Sequence, residues 1–180
     1  TVNKQGERLV ELKQIWDELA GVLYAYLEKK EGGGIGDGGV MMRRLHSPLP
    51  EDWQAVLEME ENFHTLARDI VRELDRLAAD VREYAEGDDD ELLSDLTDLN
   101  GFVKELAVER DALRYILRLE DEEEKSMVRW MEASPNYKAR SLRLTALPID
   151  VSPLLQQYFF DEKESVVMTS ATLTVDKSFD

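Results

Sequence analysis

Residues 50–86 read PEDWQAVLEMEENFHTLARDIVRELDRLAADVREYAE, and within them Trp53, Val56, Glu60, Phe63, Ala67, Ile70, Leu74, Leu77, Val81 and Tyr84 follow one another at alternating steps of three and four. Nine of these ten are apolar, Glu60 being the exception, and that spacing lays them along one face of a long helix. Pro50, Glu51 and Asp52 suit a first turn, because proline is tolerated there and acids favour the positive end of the helix dipole. After a Gly87-Asp88 turn a second stripe begins: Leu92, Leu96, Leu99, Val103, Leu106, Arg110, Leu113 and Leu117. The short connection predicts two antiparallel helices. At about 1.5 Å per residue they reach roughly 45 Å, which predicts an elongated helical arm.

Upstream, Leu9, Leu12, Trp16, Leu19, Leu23 and Tyr26 make a third helical stripe. It closes before Gly32-Gly33-Gly34-Ile35-Gly36-Asp37-Gly38-Gly39, which holds six of the ten glycines. Backbone entropy argues against regular structure there, so residues 31–49 are predicted to be a flexible loop. The stretch lacks the Gly-Lys-Ser/Thr ending of a phosphate-binding loop and reads as a linker.

Downstream the period changes. Met127-Val128-Arg129-Trp130-Met131-Glu132 and Ser141-Leu142-Arg143-Leu144-Thr145-Ala146-Leu147 alternate in twos around a Ser134-Pro135-Asn136 turn, which predicts two strands. Ser152-Pro153 is placed to cap a short helix through Phe160, and residues 165–170 read as a short buried strand. Three strands and one helix make a poor independent core, so residues 127–180 are expected to belong to a larger sheet or to pair with another copy, with a domain boundary near Lys125.

The 180 residues carry 39 Asp and Glu against 22 Lys and Arg, a net charge of −17, and no cysteine. Lack of cysteine excludes disulfides, thiolate metal sites, iron–sulfur ligation and thiol catalysis within the chain. With 43% hydrophobic residues the chain has material for a core despite its charge. No uncharged apolar run approaches the roughly 20 residues of a membrane span and the first residues lack an apolar leader core, so no membrane partner and a cytoplasmic location are expected. A start at Thr1 within a helical pattern suggests an excised segment. The acid is concentrated in residues 1–126, with 32 acidic and 16 basic side chains, against 7 and 6 in residues 127–180. Glu86-Gly87-Asp88-Asp89-Asp90-Glu91 and Glu120-Asp121-Glu122-Glu123-Glu124 read as solvated turns. Such a surface repels phosphates at long range, so any nucleic-acid contact must be local.

The tail also contains an ordered pair of motifs: Leu147-Pro148-Ile149-Asp150-Val151-Ser152-Pro153-Leu154-Leu155, then Ser165-Val166-Val167-Met168-Thr169-Ser170-Ala171-Thr172-Leu173. A Pro-Ile-Asp-Val-Ser segment leading into a helix, followed by a strand ending in Thr-Ser-Ala-Thr-Leu, resembles the DinG/XPD-like branch of the superfamily 2 DNA helicases. Residues 128–132 are similar to the tryptophan-bearing strand that precedes these motifs in DinG-type proteins. The resemblance implies a mainly α chain: an elongated antiparallel helical arch over 1–126, then a small β-rich fragment, 127–180, of the first RecA-like α/β motor domain.

In function the resemblance implies part of an ATP-dependent helicase of 5′ to 3′ polarity, of the kind used in DNA repair, acting on single-stranded or forked DNA with the remaining helicase domains in cis. Thr169, Ser170, Ala171 and Thr172 would be motif III, whose hydroxyls relay the ATP state to the DNA-binding surface. ATP and Mg2+ belong to the parent enzyme. The phosphate-binding loop, the DEAH box and the second motor domain's final arginine motif are absent from these residues, so the isolated chain is expected to be inactive. No iron–sulfur cluster is expected in this segment. An attached exonuclease as the main activity is an alternative, as is a free-standing acidic helical module that binds a basic protein.

Other residues compete for roles. Arg68, Arg72 and Arg76, with Arg110, Arg114 and Arg118, form two four-residue ladders that would make a track for single-stranded DNA. Nearby Asp69, Glu73, Asp75, Asp80, Glu109 and Asp111 offer the plainer reading of surface ion pairs. Trp53, Phe63, Tyr84 and Phe102 are candidates for base stacking, with core packing the expected role. His46 and His64 lack partners at ligand spacing, and no metal is expected. Glu60 and Arg110 interrupt their stripes without an evident partner.

Overall fold

The computed structural model describes residues 2–29, 33–35, 39–84, 90–118, 126–137 and 141–167. Its elements are α1 (Val2–Glu28), β1 (Gly33–Ile35), β2 (Met41–Leu45), α2 (Trp53–Tyr84), α3 (Asp90–Leu117), β3 (Met127–Ala133), β4 (Arg143–Pro148), α4 (Ser152–Leu155) and a π-helical turn (Gln156–Phe160). The chain is mainly helical with one small sheet. Packing divides it into two units, Thr1–Leu147 and Pro148–Asp180.

In the first unit α1 and α3 each run antiparallel to α2. Across α1 and α2, Arg8 meets Glu73 at 2.8 Å near one end, and the Tyr26 and Trp53 rings meet edge to face at 5.3 Å near the other. Across α2 and α3, the Trp53 indole N–H donates to the Leu117 carbonyl at 3.3 Å. The apolar stripes supply the core: Leu12, Leu19, Leu23 and Tyr26 from α1, Trp53, Val56, Phe63, Ala67, Ile70 and Leu74 from α2, and Leu96, Val103, Leu113, Ile116 and Leu117 from α3 are buried. Trp53 and Phe63 are therefore packing residues, whereas Phe102 is exposed. The Tyr84 side chain lies outside the described residues.

The sheet has the order β1-β2-β3-β4, with β1–β2 and β2–β3 antiparallel. This corrects the expectation of a structureless loop over 31–49. Two strands form there because β2, which has no glycine, is laddered on both sides by β1 and β3, and pairing with β2 offsets the entropy of ordering the glycines of β1. Gly39, at φ +79°, occupies the left-handed region two residues before β2.

Packing also divides the chain at 147/148 rather than near Lys125. Met127–Ala133 lies against Met41–Leu45, with Met131 opposite Arg43, so β3 gains a ladder partner from within the helical unit. Leu142, Leu144 and Ala146 also pack on that unit's core. Ser141 Oγ closes the β3–β4 connection by accepting from the Ser134 N–H at 2.8 Å and donating to its carbonyl at 3.0 Å.

In the second unit, the Asp150 carboxylate accepts from the Ser152 N–H at 2.8 Å ahead of α4, and the N-cap position falls on Val151, which makes no side-chain cap bond, rather than on Ser152. The helix widens after one turn, with the Asp161 N–H bonding to the Gln156 carbonyl five residues back. Residues 165–167, expected to begin a strand, lie outside any strand because no ladder partner adjoins them among the described residues. Ile149, Val151, Leu154, Leu155, Tyr158, Phe159 and Val167 are exposed.

Candidate functional site

The two arginine ladders lie along α2 and α3, and acids engage most of their charge. Arg114 and Arg118 converge on Glu60, whose side chain is 0% exposed: the Arg114 Nε donates to Oε1 at 2.9 Å and the Arg118 Nε to Oε2 at 2.6 Å. Their Nη2 groups both reach Glu61 Oε2, at 2.5 and 2.7 Å. Arg118 also donates to the Leu57 carbonyl at 3.4 Å. Glu60 is buried at a position where the stripe calls for an apolar side chain, and two guanidinium groups from the facing helix compensate its charge.

Arg110 turns onto its neighbour Asp111 in a fork of 2.8 and 2.9 Å. That bond, the largest influence on it, holds the Asp111 carboxyl below the ordinary aspartate range. His64 lies 3.5 Å from Asp111 and is mostly covered. Burial, then the positive Arg114 and Arg110, push its pKa below the ordinary histidine value, with Glu60 and Asp111 acting against them. The fold therefore favours neutral imidazole at this seam.

On the other ladder, Arg68 and Arg72 lie 3.5 and 3.4 Å from Asp69, which Arg8 of α1 also approaches at 3.8 Å. Gln5 and Arg8 both bond to Glu73 and lower its pKa. Arg76 is exposed and has no ion pair among the described residues. The structure thus brings Arg110, Arg114 and Arg118 onto the α2–α3 seam and leaves Arg68, Arg72 and Arg76 outward on α2. Thr169, Ser170, Ala171 and Thr172 lie outside the described residues.

Two further arginines connect the helices to the sheet, and sequence reasoning did not find their roles. The Arg43 Nη1 of β2 donates to the Tyr26 carbonyl in the last turn of α1 at 2.7 Å, and its guanidinium lies 4.2 Å from the Tyr26 ring centre. Arg129 of β3, 1% exposed, donates through Nη1 to the Arg118 carbonyl just beyond α3 at 3.3 Å and lies 4.6 Å from the Tyr115 ring. Each places a cation at the carbonyl end of a helix, where backbone acceptors are in excess. Alternation in the strands was the available signal, since Arg129 shares its face with Met131 and Ala133.

A cavity of about 420 Å³ is lined by Trp16, Phe63, Ala112, Leu113, Ile116, Leu142 and Leu144, with Glu109 its one charged lining residue. It offers no cation to a phosphate, so these residues do not fit ATP with Mg2+. Among the described residues no group of three or more His, Asp or Glu is arranged to hold a metal. No helix among them is long and apolar enough to cross a membrane. The chain matches no family model, no curated protein and no solved structure.

Proposed function

We propose that the chain is the arch and adjoining motor segment of a DinG-like, ATP-dependent DNA helicase. The observation that carries the reading is the ordered motif pair, Pro148-Ile149-Asp150-Val151-Ser152 followed by Thr169-Ser170-Ala171-Thr172-Leu173. The second unit adds support, because the apolar side chains around its first motif are uncovered, as they would be where further protein normally packs. The antiparallel α2–α3 pair is consistent with an arch, and the seam made by Glu60, Arg114 and Arg118 would stiffen it.

In this reading the helices guide a displaced single strand, and motif III passes the ATP state toward it. ATP and Mg2+ would be held by parts of the parent enzyme other than these residues. A hydroxyl suits a relay role because it both donates and accepts, and can change partner when a phosphate leaves.

The test is the parent protein itself. Its reading frame should contain a phosphate-binding loop and a DEAH box before these residues, and its ATP hydrolysis should rise when single-stranded DNA is added. Ser170→Ala with Thr172→Ala should depress unwinding more than ATP hydrolysis. A parent without those motifs, or an ATPase indifferent to DNA, would overturn the reading.

One observation favours a second reading, an acidic helical module that binds a basic protein. Thr1–Leu147 forms a compact unit that includes β3 and β4, so most of the chain has the packing of a self-contained body. Under that reading the parent lacks both motor motifs, and a basic partner is retained by the chain in pull-down at low salt.

A further inference from the structure

The four strands of the small sheet hold one acid, Glu132, against Arg43, Arg44, Arg129 and Arg143. Residues 38–50 and 133–149 together carry five Lys or Arg and no Asp or Glu, in a chain of net charge −17. The first stretch contains β2 and the second contains most of β4, the neighbours of β3 on either side. Between residues 125 and 149 the only acid is Glu132.

One face of this sheet packs on the helices through Leu45, Arg129, Met131, Ala133 and Leu144. The alternate positions form the other face, which has Met42 and Arg44 on β2, Val128, Trp130 and Glu132 on β3, and Arg143 on β4. The register sets Arg44 directly opposite Trp130. Arg44 is exposed and has no carboxylate partner among the described residues. The Arg143 side chain is 74% exposed and meets Glu132 only at 3.5 Å, a distance at which little bonding remains. Trp130 is held in place by its indole N–H, which donates to the other Glu132 oxygen at 3.3 Å. In the turn beyond β3, Tyr137 is 69% exposed.

The geometry points to this outer sheet face as the surface that touches single-stranded nucleic acid, with Arg44 and Arg143 engaging phosphates and Trp130 offering a stacking surface beside them. It deepens the helicase reading, on which it rests for the nature of the strand. Charge complementarity favours a polyanion at this face, where the described charged side chains are Arg44, Arg143 and a single acid, Glu132. An aromatic ring opposite a guanidinium group suits unpaired bases, which stack without regard to sequence. The arginine ladders compete poorly, because acids hold Arg110, Arg114 and Arg118 directly, and Arg68, Arg72 and Arg76 lie on a helix segment that also carries Asp69, Glu73, Asp75 and Asp80.

The experiment is fluorescence anisotropy of a labelled oligothymidine titrated with the 180-residue chain at about 50 mM and about 200 mM salt. Binding is expected at the lower salt. Arg44→Glu with Arg143→Glu should weaken it by at least about tenfold and flatten the log–log salt dependence by about 1.4, corresponding to two lost single-strand phosphate contacts. Arg68→Glu with Arg72→Glu should change affinity by less than about twofold. Trp130→Phe, which keeps an aromatic ring, should retain binding while removing most of the tryptophan quenching that accompanies it. All four charge changes are at exposed positions, and circular dichroism verifies the fold of each variant.

Three outcomes overturn the proposal: no binding at the lower salt, an affinity unmoved by the Arg44 and Arg143 reversals, or an affinity lost through Arg68 and Arg72 instead. Capture of polyglutamate that oligothymidine does not displace would point to an acidic protein partner and also overturns it. A DNA-stimulated parent ATPase unmoved by these reversals would remove this interface and leave the helicase reading standing. A parent without ATPase activity would remove the helicase reading while the binding result stands.

Discussion

Glu60 shows how a single residue can be costly in isolation and stabilising in context. Its carboxylate is fully covered, but Arg114 and Arg118 each donate through Nε, and both remain about one-third exposed. The two sides of the pairing should therefore respond differently to mutation. Replacing Arg114 and Arg118 together with alanine strands a buried carboxylate and is expected to destabilise the unit by about 3–5 kcal/mol. Glu60→Leu restores the apolar stripe and leaves two guanidinium groups able to reach water and Glu61, so it should cost less than about 1 kcal/mol. Urea unfolding of both variants checks this, and equal losses would mean that the carboxylate itself supplies the stability. The anomaly at Glu60 was visible in the stripe, but its partners lie more than fifty residues away in sequence, and only the antiparallel pairing of α2 and α3 brings them together.

At the scale of elements, the helices were the most legible part. Each stripe repeats over six or more positions, so local spacing identifies most of the buried face, although Ala20, Tyr24, Leu27, Ala78 and Ile116 are buried beside it. The strands were legible in proportion to their alternation: β3 and β4 stand out, whereas β1 was hidden by its glycines and β2 by the lack of a clear apolar alternation, its second ladder partner β3 lying far away in sequence. Exposed glycines inside the helices give a direct test of element propensity. A Cβ added at Gly21 of α1 or Gly101 of α3 would meet nothing within 4 Å. Gly21→Ala and Gly101→Ala are each expected to stabilise the protein by about 0.5–1 kcal/mol, through reduced backbone freedom in the unfolded chain. Thermal melts measure it. A loss at either site would indicate that the glycine serves a contact these elements do not show.

At the scale of the whole molecule, net charge opposes compaction. With −17 on 180 residues, self-repulsion is expected to outweigh the surface ion pairs, most of which contribute less than about 1 kcal/mol each. Raising NaCl from about 0.01 M to about 0.1 M shortens the screening length from about 30 Å to about 10 Å. The melting midpoint is expected to rise by about 2–4 °C, equivalent to roughly 1 kcal/mol. A fall in the midpoint would show that ion pairs such as Arg8–Glu73 and Lys29–Asp52 contribute more than the repulsion they sit within.

Sequence by itself determined the helical stripes, the acid-rich first part, the alternating pattern of β3 and β4 and the ordered motifs in the tail, since each is a pattern of neighbours a few residues apart. Tertiary structure alone decided that β3 joins β2 inside the helical unit, that Glu60 pairs with Arg114 and Arg118, that Arg43 and Arg129 close helix ends, and that Arg44 stands opposite Trp130. Those outcomes depend on which distant segments come into register, and hydrogen-bond ladders and buried charge select that register only once the chain has folded.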